Sequence, residues 1–220
     1  MGRGTYFWNE RPEMQQLVPA GAIRILDVGC AAGRFGAALK EEVAGRVVHG
    51  IEPHGPAAAE AMQILDAVHE GEFSQEAGRE LARGVPYDVI VFNDVLEHMV
   101  DPGAALRVSR DLLAPHGSVI ASIPNFRNWR TLNTILRQGT FAYEDAGVLD
   151  RTHLRFFCKR DIIELFIDSG FDVKHIEGIA PLNRKNWQRW KFVSRFLGND
   201  LHIDGAFVQF VVRASLAPAE

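Results

Sequence analysis

Residues Ile25 to Gly36 read ILDVGCAAGRFG, an apolar run that passes through a glycine turn into a helical pattern. A short continuous apolar run bounded by turn residues is the mark of a strand buried on both faces. Small residues at Gly29, Ala31 and Gly33 let the backbone pass close to a ligand at the point where a helix begins. A dinucleotide-binding G-x-G-x-x-G fingerprint would need its third glycine at position 34, and Arg34 stands there, so that fingerprint fails. Small residues at 29, 31 and 33 form a different spacing.

Outward from this stretch, the first 124 residues alternate apolar runs with helical patterns, the rhythm of βαβ units on a parallel sheet. Strands are predicted at Ile23–Val28, Val47–Ile51, Ala67–His69, Tyr87–Phe92 and Ser118–Ile123, the last entered through a turn at Gly117. Helices are predicted over Arg34–Val43, Pro56–Leu65, Gln75–Ala82 and Ala104–Leu113, the last opened by Pro102, where the missing N–H costs nothing. Five strands joined by four crossovers make a doubly wound sheet the economical reading. After Pro124 the rhythm changes. A helix is expected at Trp129–Arg137, then an irregular stretch, GTFAYEDAGVLDRTHLRFF, too long for a plain crossover. Lys159–Ser169 reads as an amphipathic helix, and Phe171–Ile179 and Ala206–Ala214 as strands separated by a second long excursion.

The chain has 220 residues, 47% of them hydrophobic and 24% charged, which suits one generous α/β domain and excludes intrinsic disorder and fibrous repeats. Its two cysteines, Cys30 and Cys158, lie far apart with no CxxC or Cys/His ligand spacing. That argues against a disulfide scaffold or structural zinc and fits a reducing, cytoplasmic setting. No window approaches the apolar length of a membrane span, and the N-terminus lacks an apolar signal core. The net charge of −4 hides an asymmetry: residues 1–124 carry −7, residues 125–200 carry +4 and the remainder −1. A basic segment on an acidic body points to an anionic substrate or surface near that segment, with an ordinary solvated face as the plainer alternative.

Four motifs in order over residues 25–125 resemble those of class I S-adenosylmethionine-dependent methyltransferases. Asp27 stands two residues before the first glycine of a G-x-G-x-G pattern in which Ala31 replaces the middle glycine. VVHGIEP places Glu52 and Pro53 at the end of the second strand, and EGEF places Glu72 and Phe73 after the third. YDVIVFNDVLEHMVDP matches the fourth motif, with Asn93, Asp94, Val95 and His98, and LLAPHGSVIASIPN matches the element that follows. The resemblance implies S-adenosylmethionine as cofactor. It also implies a Rossmann-like, doubly wound, mostly parallel seven-stranded sheet with an antiparallel last strand and helices on both faces. By the same resemblance Asp27, Gly29, Cys30, Ala31, Gly33 and Phe35 form the cofactor turn. Glu52 would accept from the ribose hydroxyls, Glu72 and Phe73 would contact adenine, and Asn93, Asp94, Val95 and His98 would line the mouth. LDRTHLRFF, followed by an amphipathic helix and SGFDV, resembles a bacterial group associated with glycan or natural-product modification. One methyltransferase domain over residues 1–220 is implied, with an N-terminal arm (1–22), a cofactor-binding half (23–125) and insertions at 126–157 and 181–205 forming the acceptor site.

Methyl transfer is an in-line displacement that requires no metal in principle, so the chain must position an acceptor and, for a hydroxyl, remove its proton. His98 and His153 are the candidate bases, because imidazole titrates near neutrality; a structural histidine is the alternative for each. Arg151 and Arg155 suit a phosphate or carboxylate on the acceptor, or else pair with Asp150 or Glu144. Tyr143 and Trp187 are further candidate acceptor contacts. Tyr6, Trp8 and Arg11 either close over the cofactor or pack on the domain. NRKNWQRWKFVSRF, carrying Arg184, Lys185, Trp187, Arg189, Trp190, Lys191, Arg195 and Phe196, meets an anionic membrane surface, an acceptor or the core. The absence of an N/D-P-P-aromatic run disfavours a DNA base target. Two rivals stand beside this reading: a nucleotide-sugar oxidoreductase, whose Tyr-x-x-x-Lys pair is missing, and a non-catalytic cofactor-binding module.

Overall fold

In the computed structural model, which describes residues 10–182, 188, 190–191 and 204–218, the apolar run at 25–28 lies at the centre of a seven-stranded sheet. Tyr6, Trp8, Arg184, Lys185, Trp187, Arg189, Arg195 and Phe196 lie outside the described residues. The elements run α1 (Pro12–Gln15), β1 (Arg24–Val28), α2 (Arg34–Glu42), β2 (Val47–Glu52), α3 (Gly55–Ala61), β3 (Ala67–Glu70), α4 (Gln75–Ala82) and β4 (Tyr87–Asn93). A 3₁₀ turn at Leu96–His98 leads to α5 (Pro102–Leu112), β5 (Leu113–Pro124), α6 (Trp129–Gln138), α7 (Lys159–Asp168), β6 (Phe171–Pro181) and β7 (Phe207–Leu216).

Strand order is β3-β2-β1-β4-β5-β7-β6, and the last strand of the chain inserts antiparallel between β5 and β6. Because β1 pairs in parallel with both β2 and β4, the winding reverses there, and a crevice opens at the carboxyl ends of β1 and β4. Alternation along each strand feeds two cores. Ile25, Val89 and Val91 face Met14 of α1, Phe35 and Leu39 of α2 and Ala61 of α3. Leu26, Ile90 and Phe92 face Leu81 of α4, Leu106 of α5 and Phe166 of α7. Helices therefore cover both faces, as the motif resemblance implied. Among the described residues no helix is long and apolar enough to cross a membrane.

One local expectation needs correction. Gly117 does not turn the chain into the fifth strand but lies within β5, where the register against β4 shifts between Tyr87 and Val89. A Cβ at Gly117 would sit 2.8 Å from Leu113 Cδ2 and 3.0 Å from the carbonyl oxygens of Ala114 and Tyr87, so the irregularity needs a residue without a side chain.

The excursion after β5 is closed at its base. Phe126 N–H donates to the Phe157 carbonyl at 2.8 Å, and the buried Asn125 amide donates to the carbonyls of Asp204 and Phe207 at 2.7 and 2.9 Å. Within it α6 starts at Asn128, whose side chain accepts from Arg130 N–H, and stops at the left-handed Gly139.

Cys30 fills space between the sheet and α3. A Cβ on Gly50 of β2 would lie 2.5 Å from Cys30 Sγ and 2.9 Å from Leu65 Cδ1. Gly50→Ala should therefore cost about 1–3 kcal/mol of stability through overpacking. Chemical denaturation should show part of that loss restored in the Gly50→Ala/Cys30→Ala double variant, because the two sites share one contact.

Candidate active site

The turn after β1 is shaped by three left-handed residues, Gly29 (φ 71°), Ala31 (φ 48°) and Gly33 (φ 76°). Gly29 N–H and Cys30 N–H donate to the Ile51 carbonyl at 2.8 and 3.2 Å, pinning the turn to the end of β2. Glu52, buried at that end, accepts Ala31 N–H on one oxygen at 2.8 Å and His54 N–H on the other at 2.9 Å. Each oxygen keeps a second lone pair. Asp27, at the end of β1, is 1% exposed, and neither of its oxygens has a hydrogen-bond partner among the described residues. Burial, reinforced by the nearby Glu52 carboxylate, raises its pKa to about 8 against the opposing pull of Arg11.

This chemistry fits S-adenosylmethionine. A buried carboxylate without a partner suits the ligand's ammonium, and a carboxylate already fixed by two backbone N–H groups suits its ribose hydroxyls. The absence of a side chain at Gly29 lets Val95 pack on the turn: a Cβ there would reach within 2.5 Å of Val95 Cγ2. Asn93, at the end of β4, is half-buried, and its Oδ1 is enclosed without a partner among the described residues.

The other sequence-predicted positions differ in exposure and partners. Cys30 and Phe35 belong to the apolar core of one face of the sheet, each 4% exposed, in one cluster with Val48, Ala61 and Leu65; burial, first among the causes, also raises the Cys30 thiol pKa. Pro53 and Glu72 are exposed at the rim, and Phe73 is half-buried edge-on against Phe92, with ring centroids 5.6 Å apart. Asp94 is not an open acid at the mouth. Its backbone is left-handed (φ 55°), and its buried carboxylate accepts from Arg11 Nη1 at 2.6 Å, Ser122 Oγ at 2.7 Å and Gln209 Nε2 at 2.9 Å. Arg11 also donates to Ser122 Oγ at 2.8 Å and to Glu13 at 2.8 Å. Arg11 thus ties the segment before α1 to Asp94, just past β4, and to Ser122 of β5, while Gln209 of β7 reaches the same Asp94 carboxylate.

Beyond Asp94 the chain brings together two predicted histidines and Glu97, an acid of the fourth motif to which the motif reading gave no site role. The rings of His98 and His153 meet edge to face, 4.8 Å between centroids. Glu97 lies beneath them, 1% exposed, with Oε1 4.0 Å from His153 Nε2. The Glu97 carbonyl accepts Leu154 N–H and Arg155 N–H at 2.8 and 3.0 Å, so the insertion is fastened where His153 sits. Burial raises the pKa of Glu97 well above the carboxylate range and lowers that of His153, whose Nδ1 lies 3.1 Å from the Val148 carbonyl. Phe126, Phe141, Tyr143 and Phe156 form an aromatic wall beside this cluster, with neighbouring centroids 5.3–6.3 Å apart and Tyr143 half exposed. Arg151 is exposed and pairs with Asp145 at 2.7 Å, not with Asp150 or Glu144. Arg155 donates to the Val100 and Leu154 carbonyls. Trp190 is buried against Trp129, with centroids 5.0 Å apart, while Lys191 is exposed.

Comparison with known proteins gives the family and the fold. The family model described as a methyltransferase domain matches residues 7–176. A ubiquinone biosynthesis O-methyltransferase of Caulobacter sp. (strain K31) is 34% identical over 186 residues, covering 78% of this chain and 68% of the relative. A protein of the same name from Pseudomonas syringae pv. tomato is 30% identical over 173 residues, covering 73% of this chain and 70% of the relative. Among solved structures, a SAM-dependent methyltransferase from Archaeoglobus fulgidus superposes with TM-score 0.67 at 17% identity, covering 97% of this chain and 94% of that one. Another from Mesorhizobium loti gives TM-score 0.59 at 18% identity, covering 93% and 96%. The chain belongs to the methyltransferase domain family, and within it to the class I enzymes that use S-adenosylmethionine. The oxidoreductase and non-catalytic readings fall with that assignment.

The turn itself can be tested. Gly29→Ala combines left-handed strain with a clash on Val95 and should cost about 2–5 kcal/mol in thermal or chemical unfolding. Ala31→Gly places glycine where alanine is already left-handed, and should be neutral or gain up to about 1 kcal/mol.

Proposed function

We propose that this chain transfers a methyl group from S-adenosylmethionine to a hydroxyl oxygen of a small-molecule or glycan acceptor held against the aromatic wall. The observation that carries the reading is the placement of Glu97, His98 and His153 between the cofactor cradle and that wall. S-adenosylmethionine, when bound, supplies a methyl group on a positively charged sulfur that departs as a neutral thioether. Asp27 and Glu52 hold its ammonium and ribose, Glu72 and Phe73 flank its base, and Asn93 and Val95 line the space beneath it. A new carbon–oxygen bond forms on an acceptor lone pair while the carbon–sulfur bond breaks, and the hydroxyl proton leaves to the histidine pair.

His153 is suited to receive it. A carbonyl oxygen only accepts, so Nδ1 carries the hydrogen and Nε2 keeps its lone pair, while burial keeps the ring neutral. The aromatic wall offers flat faces for a ring-shaped acceptor. Arg151 and Arg155 at the rim can exchange exposed partners for an acidic group at little cost. The curated relatives named O-methyltransferases support oxygen as the receiving atom.

An acceptor screen of hydroxylated aromatic rings and sugars with labelled S-adenosylmethionine tests the reading, with incorporation into an ether as the expected product and transfer only to nitrogen or carbon as the contrary one. For an acceptor so found, Phe141→Ala and Tyr143→Ala should raise KM and leave cofactor affinity unchanged, whereas His153→Ala should lower kcat by about 10²–10⁴-fold.

Asp27 gives a separate signature. In the free protein it holds its proton up to about pH 8, and a cationic ligand beside it favours the ionised form. Cofactor affinity should therefore rise with pH up to about 8 and then level off. Calorimetry at pH 7 in buffers of different ionisation enthalpy should show proton release on binding in excess of that seen with Asp27→Asn, whose titration reports the ligand's own amine.

A further inference from the structure

We propose that Glu97, His98 and His153 form a binding site for a divalent transition-metal ion of the zinc or cobalt type at the acceptor mouth. One ligand atom from each lies within 4.8 Å of the other two. The donor set, two imidazole nitrogens and one carboxylate oxygen, is one that zinc and its neighbours accept with a coordination position left open.

Three observations distinguish a ligand set from a packed trio. Glu97 is 1% exposed, yet neither side-chain oxygen has a hydrogen-bond partner among the described residues, and a bound cation would displace the proton that burial favours and satisfy both oxygens. Each imidazole turns Nδ1 to a backbone carbonyl, His98 to Thr152 and His153 to Val148, both at 3.1 Å. That arrangement fixes the hydrogen on Nδ1 and leaves Nε2 with its lone pair, as the outer partners of metal-bound histidines do. The 4.0 Å between Glu97 Oε1 and His153 Nε2 is too long for a hydrogen bond and close to the roughly 3.4 Å that separates two ligands held about 2.1 Å from one ion. Small side-chain rotations close the difference. The ligand-bearing segments are already fastened by the two bonds from Leu154 and Arg155 N–H to the Glu97 carbonyl.

The site gains its use from the O-methyl reading, on which this part of the proposal rests. A cation with an open position toward the aromatic wall would take the acceptor's hydroxyl oxygen and lower its pKa, so that near neutral pH its proton passes to solvent; with the ion bound His98 and His153 act as ligands, and the base role given to His153 belongs to the metal-free chain.

The test is titration of the chelator-stripped full chain with Co²⁺, followed by visible absorption and calorimetry, with S-adenosylmethionine affinity measured on the same samples. Uptake of one ion per chain, with the ligand-field bands of a four- or five-coordinate site, is expected. His153→Ala and Glu97→Gln should each weaken it more than tenfold while still binding S-adenosylmethionine, the sign that they remain folded. Absence of uptake, or equal affinity in wild type and both variants, would overturn the site. Cobalt uptake without methyl transfer to any hydroxyl would keep the site and retire the O-methyl reading. Methyl transfer to oxygen by a chain that takes up no cobalt would retire the site alone.

Discussion

Four acidic side chains, Asp27, Glu52, Asp94 and Glu97, are buried at or just beyond the carboxyl ends of β1, β2 and β4, and the Arg11 guanidinium is set among them. Its attraction acts on Asp27, Asp94 and Glu97 alike. Buried like charges are tolerated only when each is neutralised, fixed by backbone N–H groups or protonated, and all three solutions are used here. Asp94 takes the ion pair, Glu52 takes the backbone donors, and Asp27 and Glu97 are driven toward their neutral forms. The crevice is therefore an acidic place in want of cations, which is what a positively charged cofactor provides.

Much of this was legible in the sequence because it is local. The strand, glycine turn and helix from Ile25 to Glu42 form one continuous element, and the positions of Asp27 and Glu52 follow from strand ends that apolar runs mark clearly. What escaped was long-range. Nothing near Asp94 announces that Arg11, 83 positions earlier, and Gln209, 115 positions later, converge on its carboxylate. Glu97 received no role of its own beside His98 because its place depends on His153, brought to it from an irregular stretch. Phe35 and Cys30 show the reverse: they sit within the glycine-turn motif, while their side chains belong to the apolar core of one face of the sheet. Gly117 looked like a turn because glycine signals a turn and a crowded strand irregularity in the same letter.

The arms of the sheet divide their labour accordingly. Strands β1, β2 and β4 carry Asp27, Glu52 and Asn93 at their carboxyl ends. Strand β7 contributes Gln209 to the tie at Asp94 and the Phe207 carbonyl that receives Asn125 and Asn128. The start of the excursion after β5 is thus braced by residues far along the chain.

The closed base of the excursion between Phe126 and Phe157 carries a consequence for how such an enzyme can change over generations. Its two ends meet at an isolated bridge between Asn125 and Phe157, beside a strand whose position is fixed by other contacts, so the free-energy cost of altering the length between them grows only slowly with each added residue. The segment can lengthen, shorten or be replaced without disturbing the pairing of β1, β2 and β4, so this part of the chain is open to variation while the sheet stays constant.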